Sequence, residues 1–553
     1  MATRYASVTG NWSAVGTWDG GAALPGSGDN VVANGVTVTI DQDATVTQIQ
    51  TLAIGTGATV NFTAVAGIIT AVNTTPPAGG TAYPVSTTFT LSVSGGTGGR
   101  VTATTNASGI ITSYAATPAP GGTGYTTNAA AATSSSGGGF TLNDTRTLTA
   151  NVLAGTTTCL TVATGTNAVV GNVTGSAATS GTSSVLKSIA GGTLTITGNV
   201  TGNGTLGVSG VGLTHSSSGV LNISGTITSQ PSGGFTTPST AYGVSISNGT
   251  LNLTGGVLGG DSGIGLFMSG TASATISLNI ASSGFGGGAS TTSSGTLRVN
   301  GNVTGAGGYI GLSIINSGIV TVDGNVNGPT SGVAVGINNA GTTLNITGNV
   351  VAGAGNGVDI SSGTVTVTGT VTGSLTTASV RGISLTGTGA AVINNNVTGG
   401  SQALSHGIIN AGTGSITVTG NVLAGSSTSG SINITAASAC TVTGNVTSSA
   451  TSIGITNAST GLITVNGTVT ASSFGSGIRR TSSSAHTTSI NGSMVGHTSG
   501  FPGVASLGKI LIGPTAAQSH SYATDSGGGT PSTLRALTIP IFGGTVVRAA
   551  SNY

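Results

Sequence analysis

A short phrase recurs along this chain: an alternating apolar and polar strand, then Gly-Asn-Val, and often Thr-Gly after it. Repetition limits the possible folds more than any other feature, because each unit must bury its apolar face against a neighbouring copy of itself. The copies follow one another at about 25 residues. Clear copies are Leu194–Val200, Leu297–Val303, Val320–Val326, Leu344–Val350, Ile416–Val422 and Cys440–Val446.

A second phrase, in which Gly is followed by two inward-facing aliphatic positions, precedes most of these copies. Examples are Gly243–Ile246, Gly357–Ile360 and Gly382–Leu385. Each repeat therefore offers three short strands and no helix, which is typical of one coil of a parallel β-helix. The sequence predicts an all-β fold: a right-handed parallel β-helix (β-solenoid) with about 25 residues and three strands per coil, a small inserted β-domain and terminal caps.

Alternation within a strand decides which side chains enter the core. Leu344 and Ile346 are predicted to face inward, whereas Asn345 and Thr347 face outward. Cys440 stands in an inward position and is predicted to be a core residue. Cys159 lies about 11 coils away from it, too far for a disulfide bond.

The corner after the first strand carries the Gly-Asn pair. Gly is predicted to supply an unusual backbone conformation, and the Asn side chains to stack on one another from coil to coil. The predicted structural ladder consists of Asn172, Asn199, Asn302, Asn325, Asn349, Asn396, Asn421 and Asn445.

Composition and the positions of the repeated motifs divide the chain into four segments. Residues 1–66 contain Trp12 and Trp18 and are interpreted as an N-terminal cap or attachment module. The tryptophans are interpreted as a plug of the core, with a platform for a sugar as the alternative. Residues 67–127 hold two copies of a strand-turn-strand unit, about 42 residues apart, and are interpreted as an inserted, duplicated β-domain. Residues 128–496 form the parallel β-helix, and residues 497–553 a C-terminal cap or oligomerisation segment.

Composition excludes several classes of protein. Only 4% of the 553 residues are charged and 37% are hydrophobic, with a formal net charge of +2, so the chain is expected to fold rather than remain disordered. No basic cluster is larger than Arg479-Arg480, so nucleic acid is not an expected partner. The start of the chain lacks an apolar export signal, and no apolar run reaches the length of a membrane span, so membrane insertion is not expected.

Two features resemble structural proteins of tailed bacteriophages. They are the opening Met1–Tyr5 with Gly10–Ser13 and Thr17–Gly20, and the insert with Gly-Ile-Ile-Thr and Gly-Gly-Thr-Gly-Tyr. The coiled region is similar to phage tail fibres, tailspikes and secreted adhesins. The resemblance implies a virion protein, a tail fibre, tailspike-like appendage or capsid-surface fibre, assembled with other virion proteins in the host cytoplasm. It also implies a homotrimer that attaches to the host surface, with a surface glycan as a candidate ligand.

Two other functions remain open. A secreted bacterial adhesin or cell-surface filament would share the repeat. A polysaccharide-degrading tailspike enzyme would need two carboxylates about 5–10 Å apart. All nine acidic residues are Asp and they are widely spread, so no enzymatic activity is expected. Asp41 and Asp43 are close in sequence, but they flank a strand end, where a solvated turn is the favoured interpretation.

The densest group of ionisable residues comes from aligning the coils on their glycines. This places Arg381 beside His406, with Asp359 on a neighbouring outward position. The group is a candidate binding or hydrolytic patch, against the alternative of a surface cluster stabilised by at most about 1 kcal/mol. Arg298 and Asp323 fall on adjacent coils and are expected to pair.

Metal and cofactor sites are not expected. His486, His497 and His520 could gather around a metal ion, but their spacing is not that of a known metal motif.

Overall fold

The computed structural model describes residues 2–480 except for short segments, and beyond residue 480 it describes strands up to residue 548. The segments of 2–480 outside the described residues are 7–8, 19–22, 34–35, 52–55, 82–87, 97–99, 117–122, 135–138, 154–157, 176–182, 189–190, 206–209, 233–241, 261–263, 283–287, 306–311, 316–317, 329–336, 340, 342, 375, 377, 403, 425–429, 449–452, 458–460 and 471–477.

The described backbone is almost entirely β-strand, with one short 3-10 helix at Val15–Thr17. Parallel strands stack as a β-solenoid of about 14 turns, which confirms the predicted fold class. The chain divides into two compact units, Met1–Ala274 and Thr275–Tyr553. From residue 166 to residue 506 each turn supplies a first, a second and a third strand in chain order, whereas in the earlier turns of unit 1 the first and second positions are not separate strands.

Unit 1 begins with parallel strands at the very start of the chain. The first- and second-strand positions hold β1 (Thr3–Tyr5), β3 (Asn30–Val32), β5 (Ala44–Gln50), β14 (Thr147–Leu153), β16 (Thr166–Val170), β17 (Val173–Thr174), β19 (Thr193–Thr197), β20 (Val200–Thr205), β22 (Val220–Ile223), β23 (Ile227–Ser232), β25 (Thr250–Leu253) and β26 (Val257–Gly259). The third-strand positions hold β2 (Gly10–Asn11), β4 (Thr37–Ile40), β13 (Gly139–Leu142), β15 (Leu160–Val162), β18 (Ser183–Ser188), β21 (Gly210–His215), β24 (Tyr242–Ile246) and β27 (Ile264–Met268). Strand β28 (Ser273–Ile276) spans the boundary between the units.

Unit 2 repeats the same three positions. First strands are β31 (Thr296–Val299), β34 (Ile319–Val322), β37 (Thr343–Ile346), β40 (Thr364–Val367), β43 (Ala390–Ile393), β46 (Ser415–Val418), β49 (Ala439–Val442), β52 (Leu462–Val465), β55 (Thr487–Ile490) and β58 (Lys509–Ile512). Second strands are β29 (Ile280–Ser282), β32 (Val303–Thr304), β35 (Val326–Asn327), β38 (Val350–Val351), β41 (Val371–Thr372), β44 (Val397–Thr398), β47 (Val422–Leu423), β50 (Val446–Thr447), β53 (Val469–Thr470) and β56 (Met494–Val495). Third strands are β30 (Ala289–Thr291), β33 (Leu312–Ile314), β36 (Ile337–Asn339), β39 (Val358–Ile360), β42 (Arg381–Leu385), β45 (His406–Asn410), β48 (Ile432–Ile434), β51 (Ile455–Asn457), β54 (Ile478–Arg480) and β57 (Val504–Ser506). A last strand, β59 (Thr545–Arg548), pairs antiparallel with β58.

The core is a set of aliphatic columns, as the alternation predicts. Leu344 and Ile346 are buried, and Leu344 lies in register between Val320 and Val365 of the adjacent turns. Each inward side chain thus packs on an equivalent side chain above and below, which removes apolar surface from water along the whole stack.

Both cysteines are free and buried in these columns. Cys440 lies in register between Ile416 and Ile463, so it replaces a core aliphatic residue. Burial raises the pKa of the Cys440 thiol to about 12, and the pKa of the Cys159 thiol is raised for the same reason. Neither thiol is ionised near neutral pH, which fits a packing role.

The corner glycines are required for a different reason from the one predicted. Among the described corner glycines, only Gly171 and Gly198 have a φ in the positive region, at 153° and 158°. Elsewhere the constraint is close approach: a Cβ atom at Gly324 or Gly348 would overlap the carbonyl group of the corner glycine one turn earlier. The absence of a side chain therefore allows successive corners to stack in contact.

The predicted insert is wider than residues 67–127. Seven antiparallel strands form one sheet that extends from Thr56 to Ser134, within unit 1. They are β6 (Thr56–Val65), β7 (Ile68–Val72), β8 (Ala78–Thr81), β9 (Thr88–Val93), β10 (Arg100–Thr105), β11 (Ile111–Ala116) and β12 (Asn128–Ser134). The sheet order is β11-β10-β9-β12-β6-β7, with β8 paired to β6. The insert interrupts a solenoid turn after β5 and before β13.

The insert has an internal pseudo-two-fold symmetry. A shift of about 42 residues carries β6, β7 and β9 onto β10, β11 and β12, and it maps the sheet order onto its own reverse. The symmetry passes through the central pair Ser92 and Ser134, which are equivalent residues of the two copies and are partners in the sheet. Strand β9 pairs with β10 of the second copy, and β12 pairs with β6 of the first. Each copy therefore completes the sheet of the other.

The core of the insert combines aliphatic side chains with three aromatic ones. The rings of Phe62 and Tyr125 meet edge to face with centroids 5.6 Å apart. The Tyr125 hydroxyl donates to the carbonyl oxygen of Val93 at 2.8 Å. Tyr114 is also buried, and Tyr5 of the first solenoid strand packs against this cluster.

Parallel stacking starts at Thr3 rather than at residue 128, so the segment interpreted as a cap forms the first turns. Trp12 and Trp18 are both buried there, with ring centroids 5.0 Å apart, and Phe140 lies 6.3 Å from Trp12. The corners of these turns lack Gly-Asn-Val, so the repeat did not predict them.

At the other end, parallel pairing continues past residue 496 through β57 and β58. The rest of the predicted 497–553 segment lies outside the described residues, apart from β59.

Candidate functional site

The chemically distinctive side chains of the solenoid lie on its third strands. In β24, β27 and β45, the first and fourth residues are half-buried and face outward, while the residues between them are buried. We call these outward positions, which include the residue immediately before the glycine of the second phrase, the third-strand face. Most of the solenoid surface carries Thr, Ser and Asn, but this face carries aromatic and ionisable side chains.

Glycine at the second position holds the third strand against the core. A Cβ atom at Gly382 would lie 2.7 Å from the Val397 side chain and 2.7 Å from the carbonyl oxygen of Gly407. Any larger residue would push the strand outward. The glycine of the second phrase thus fixes where the residue before it, Arg381, emerges.

Asp359, Arg381 and His406 come together on β39, β42 and β45 of unit 2. Arg381 and His406 are register partners on adjacent strands, and Asp359 is the partner of Ser384. Asn356 bridges two of these turns. Its amide nitrogen donates to Asp359 Oδ1 at 2.9 Å, and its Oδ1 accepts the backbone N–H of Arg381 at 2.8 Å.

Burial changes the proton affinities of this cluster. Burial raises the pKa of the Asp359 carboxyl, although hydrogen bonds from Asn356 and Ser384 and the charge of Arg381 act in the opposite direction. Burial lowers the pKa of His406; the hydrogen bond to Gly430 opposes this shift, and the charge of Arg381 reinforces it. His406 is therefore mostly neutral near pH 7, since its ordinary pKa is 6.5.

Unsatisfied polar atoms concentrate on the same turns. Among the described residues, Arg381 Nε, Ser405 Oγ and Asn433 Oδ1 are buried and have no hydrogen-bond partner. They belong to three successive turns of unit 2. The other such atoms are scattered, in Asn61, Arg146 and His215. Buried polar atoms are rarely left unpaired, so a concentration of them marks a place where a bound molecule would find partners.

A second pair on the third-strand face lies in unit 1 and was not predicted. Tyr242 and Phe267 stack on successive turns with ring centroids 4.9 Å apart and planes inclined by 16°. The sequence signal is an aromatic residue at an outward position of the second phrase in two consecutive copies.

The Asn ladder has a geometry that differs from side-chain stacking. Each Asn Oδ1 accepts the backbone N–H of the equivalent residue one turn later, for example Asn325 to Asn349 at 2.8 Å. The predicted ladder residues divide into three runs, which end where Thr replaces Asn: at Thr226, Thr370 and Thr468. The offsets between rungs range from 21 to 27 residues. The ladder is a structural element that satisfies exposed corner backbone.

A buried turn cap was also missed. His215 Nε2 lies 3.2 Å from the carbonyl oxygen of Gly219, and Asn410 and Asn457 donate to the carbonyl oxygens of Gly414 and Gly461 at 3.0 and 3.1 Å. All three polar side chains are fully buried in the last inward position of a third strand. A polar residue in that position, with Gly four residues later, is the signal that would reveal it.

Asp41 and Asp43 both accept hydrogen bonds from residues of neighbouring turns. Asp41 accepts from the backbone N–H and the hydroxyl of Ser13 at 3.0 and 2.5 Å, and Asp43 accepts from the N–H of Thr147 at 2.8 Å. Their side chains therefore act as backbone caps in this structure. The expected Arg298–Asp323 ion pair is confirmed, at 2.6 Å.

Metal-ligating side chains do not form a group of three or more in the part of the chain that the structure describes. His486, His497 and His520 lie outside that part. In the same part, no helix has the length and apolar character needed to cross a membrane.

Comparisons of the chain with models of protein families, with curated proteins and with solved structures found no match.

Proposed function

We propose that this chain is a structural protein of a tailed-phage virion, a rigid β-helical fibre or surface appendage that attaches to the host surface. The observation that carries the proposal is the parallel β-solenoid of about 14 turns, a fold that fits a fibre or tailspike-like structural protein. The resemblance of the opening residues and of the insert to phage structural proteins supplies the virion setting.

Local stiffness supports a fibre role. Within unit 2, each described turn is bonded to the next along all three strands, and the Asn ladder adds a corner hydrogen bond within each run. Because opening one turn would break backbone pairs on both of its sides, the stack resists bending. A stiff spacer can hold a binding surface away from the particle that carries it.

Attachment would use several weak sites at once. We propose a homotrimer bound to other virion proteins, with the N-terminal turns as the attachment module. Three chains would present three copies of the third-strand face, and symmetry would convert weak single-site binding into avidity. A glycan of the host surface is the proposed ligand.

A polysaccharide-degrading enzyme is the second candidate function, and one observation favours it. The raised pKa of Asp359 suits a general acid. A glycosidase also needs a second carboxylate about 5–10 Å away. The other described Asp of unit 2, Asp323, lies at a first-strand corner and is paired with Arg298. We therefore favour binding without hydrolysis.

The test is the protein composition of purified particles. Density-gradient-purified phage should contain this chain at a stoichiometric level, and particles made without its gene should lack a fibre or surface appendage. If the chain is instead recovered from cell-surface filaments and is absent from particles, the adhesin replaces the virion protein.

A further inference from the structure

The third-strand face of unit 2 offers hydrogen-bond donors and acceptors side by side. The donor is the guanidinium group of Arg381, whose buried Nε has no partner among the described residues. No ion pair within 4.0 Å joins it to Asp359 in the described part of the chain. The carboxylate of Asp359 is the first acceptor.

The second acceptor follows from the tautomer of His406. Its Nδ1 lies 2.8 Å from the carbonyl oxygen of Gly430, and a carbonyl can only accept. Nδ1 therefore carries the proton, and Nε2 of the neutral ring is left with a lone pair. Asn433, whose Oδ1 is also unpaired, lies at the outward position of the next third strand and extends the array by one turn, about 5 Å along the stack.

The charges of this array select its ligand. Arg381 and Asp359 carry opposite charges, so the array is close to neutral. An anion that approached Arg381 would also meet the Asp359 carboxylate, and a cation that approached Asp359 would meet the guanidinium group. A hydroxyl group both donates and accepts, so adjacent hydroxyls can satisfy Arg381, Asp359 and His406 Nε2 together.

We infer that this face binds a neutral carbohydrate through adjacent hydroxyl groups, with Arg381 as donor and with Asp359 and His406 Nε2 as acceptors. The inference names the site and the ligand class of the attachment proposed above, and in that sense it rests on the proposed function.

Saturation-transfer NMR on the full-length protein tests it. The ligands are the methyl glycosides of glucose, galactose, mannose and N-acetylglucosamine, with methyl glucuronide and inorganic phosphate as anionic comparators. We expect saturable binding of at least one neutral glycoside, with a Kd of about 1 mM, as for a weak single site. Binding should weaken as the pH falls, because protonation of Asp359 and His406 removes both acceptors.

Matched variants locate the site. Arg381→Gln should weaken the neutral glycoside at least about tenfold, a loss of about 1.4 kcal/mol. Arg298→Gln is the control, because Arg298 lies on a first strand and pairs with Asp323. Circular dichroism and the melting temperature establish that each variant is folded, and His406→Gln serves as the second site variant if Arg381→Gln is not.

Three results would overturn the inference: no saturable binding of any neutral glycoside to the wild-type protein, binding unchanged in both site variants, or binding of the anionic ligands alone. None of these results would contradict the proposal that the protein is part of the virion. Failure of the site is thus distinguishable from failure of the proposed function, which particle composition decides separately.

Discussion

The stacked turns and the antiparallel insert of unit 1 contain similar residues but are stabilised in different ways. In the turns, a typical Gly-Asn corner depends on the corner about 25 residues earlier. The Asn side chain of that earlier corner accepts a backbone N–H of the later one, and the missing side chain of the glycine lets the two corners lie in contact. In the insert, the tight turns are local: Gly67 and Gly109 adopt positive φ values of 80° and 67°. Aliphatic columns in register fill the turns of unit 2, whereas the core of the insert also contains Phe62, Tyr114 and Tyr125.

The difference teaches that the same residue type can be required for unrelated reasons. Glycine in the insert permits a backbone conformation, and glycine at the solenoid corners permits contact between turns. A sequence pattern reveals that glycine is needed but not which of these reasons applies.

The largest expected effect comes from exchanging these two roles. Gly348→Ala should destabilise the protein by about 3 kcal/mol or more, because the new methyl group would overlap backbone of Gly324, which is itself held by the stack. Gly95→Ala in the insert should cost only about 1–2 kcal/mol. Its φ is 94°, but nothing lies within 4 Å of the added carbon. Urea denaturation followed by circular dichroism measures both. Equal costs would remove the distinction between the two glycine roles.

The buried turn cap predicts the next effect. His215→Ala should cost about 2–4 kcal/mol, because it leaves a buried cavity and removes the side-chain hydrogen bond to the Gly219 carbonyl, which keeps only the backbone N–H of Thr250. His215→Asn should recover part of the loss, because Asn410 and Asn457 occupy the same position in other turns. Thermal melts of the three proteins decide; an Asn variant no more stable than the Ala variant would rule out a shared cap.

The same residue gives the stack a pH dependence of known sign. Burial lowers the pKa of His215 below its ordinary 6.5. Just below pH 6.5, His215 is therefore protonated in the unfolded chain but still neutral in the folded protein. As the pH drops below that value, the contribution of His215 to the free energy of unfolding falls. The difference in stability between wild type and His215→Asn should shift in favour of the variant from pH 7.5 to about pH 5.5. A pH-independent difference would contradict a neutral, buried ring.

In the insert, the corresponding test is the Tyr125 hydroxyl. Tyr125→Phe should cost about 1–2 kcal/mol by removing the buried hydrogen bond from the Tyr125 hydroxyl to the carbonyl oxygen of Val93. Hydrogen exchange should accelerate in β6–β12 and remain unchanged in the turns of unit 2. Equal acceleration in both regions would show that they unfold together, against the comparison.

The Asn ladder should contribute less per rung, because its residues are exposed. Asn325→Ala should cost about 1 kcal/mol and should speed exchange of the Asn349 amide, which loses its acceptor. Asn327→Ala is the control, since that side chain makes no hydrogen bond within the described residues. If the Asn349 amide exchanged at the wild-type rate in Asn325→Ala, the ladder hydrogen bonds would not stabilise the corners.

The smallest expected effect is that of the surface ion pair. Arg298→Gln should cost less than about 1 kcal/mol, because the Arg298 side chain is 58% exposed. Added salt should reduce even this difference in a urea titration. A larger loss of stability that does not depend on salt would contradict a weak, solvent-screened ion pair.

Periodicity made much of the solenoid predictable. The inward positions of Leu344 and Ile346, the core role of Cys440 and the Arg298–Asp323 pair all follow from strand alternation and from alignment of equivalent residues. The same alignment brought Arg381 and His406 together, because parallel strands in register make equivalent residues neighbours.

Other features depend on contacts that a repeat does not encode. The first turns were missed because Asp43 caps a corner that lacks the Gly-Asn phrase, and their partners lie beyond the insert in sequence. The edges of the insert were placed too narrowly because β6 and β12 carry no duplicated motif. The direction of the ladder bonds, from side chain to the next backbone N–H, required atomic geometry. That Arg381 Nε has no hydrogen-bond partner among the described residues could be seen only from the atoms that surround it.

Cryo-EM of purified phage particles labelled with antibody to this chain tests the central claim most directly, because it shows where the protein resides. The account predicts label on a fibre or surface appendage of the particle, in a number of copies consistent with trimers. Label confined to filaments on the bacterial surface, with none on heads or tails, would contradict it.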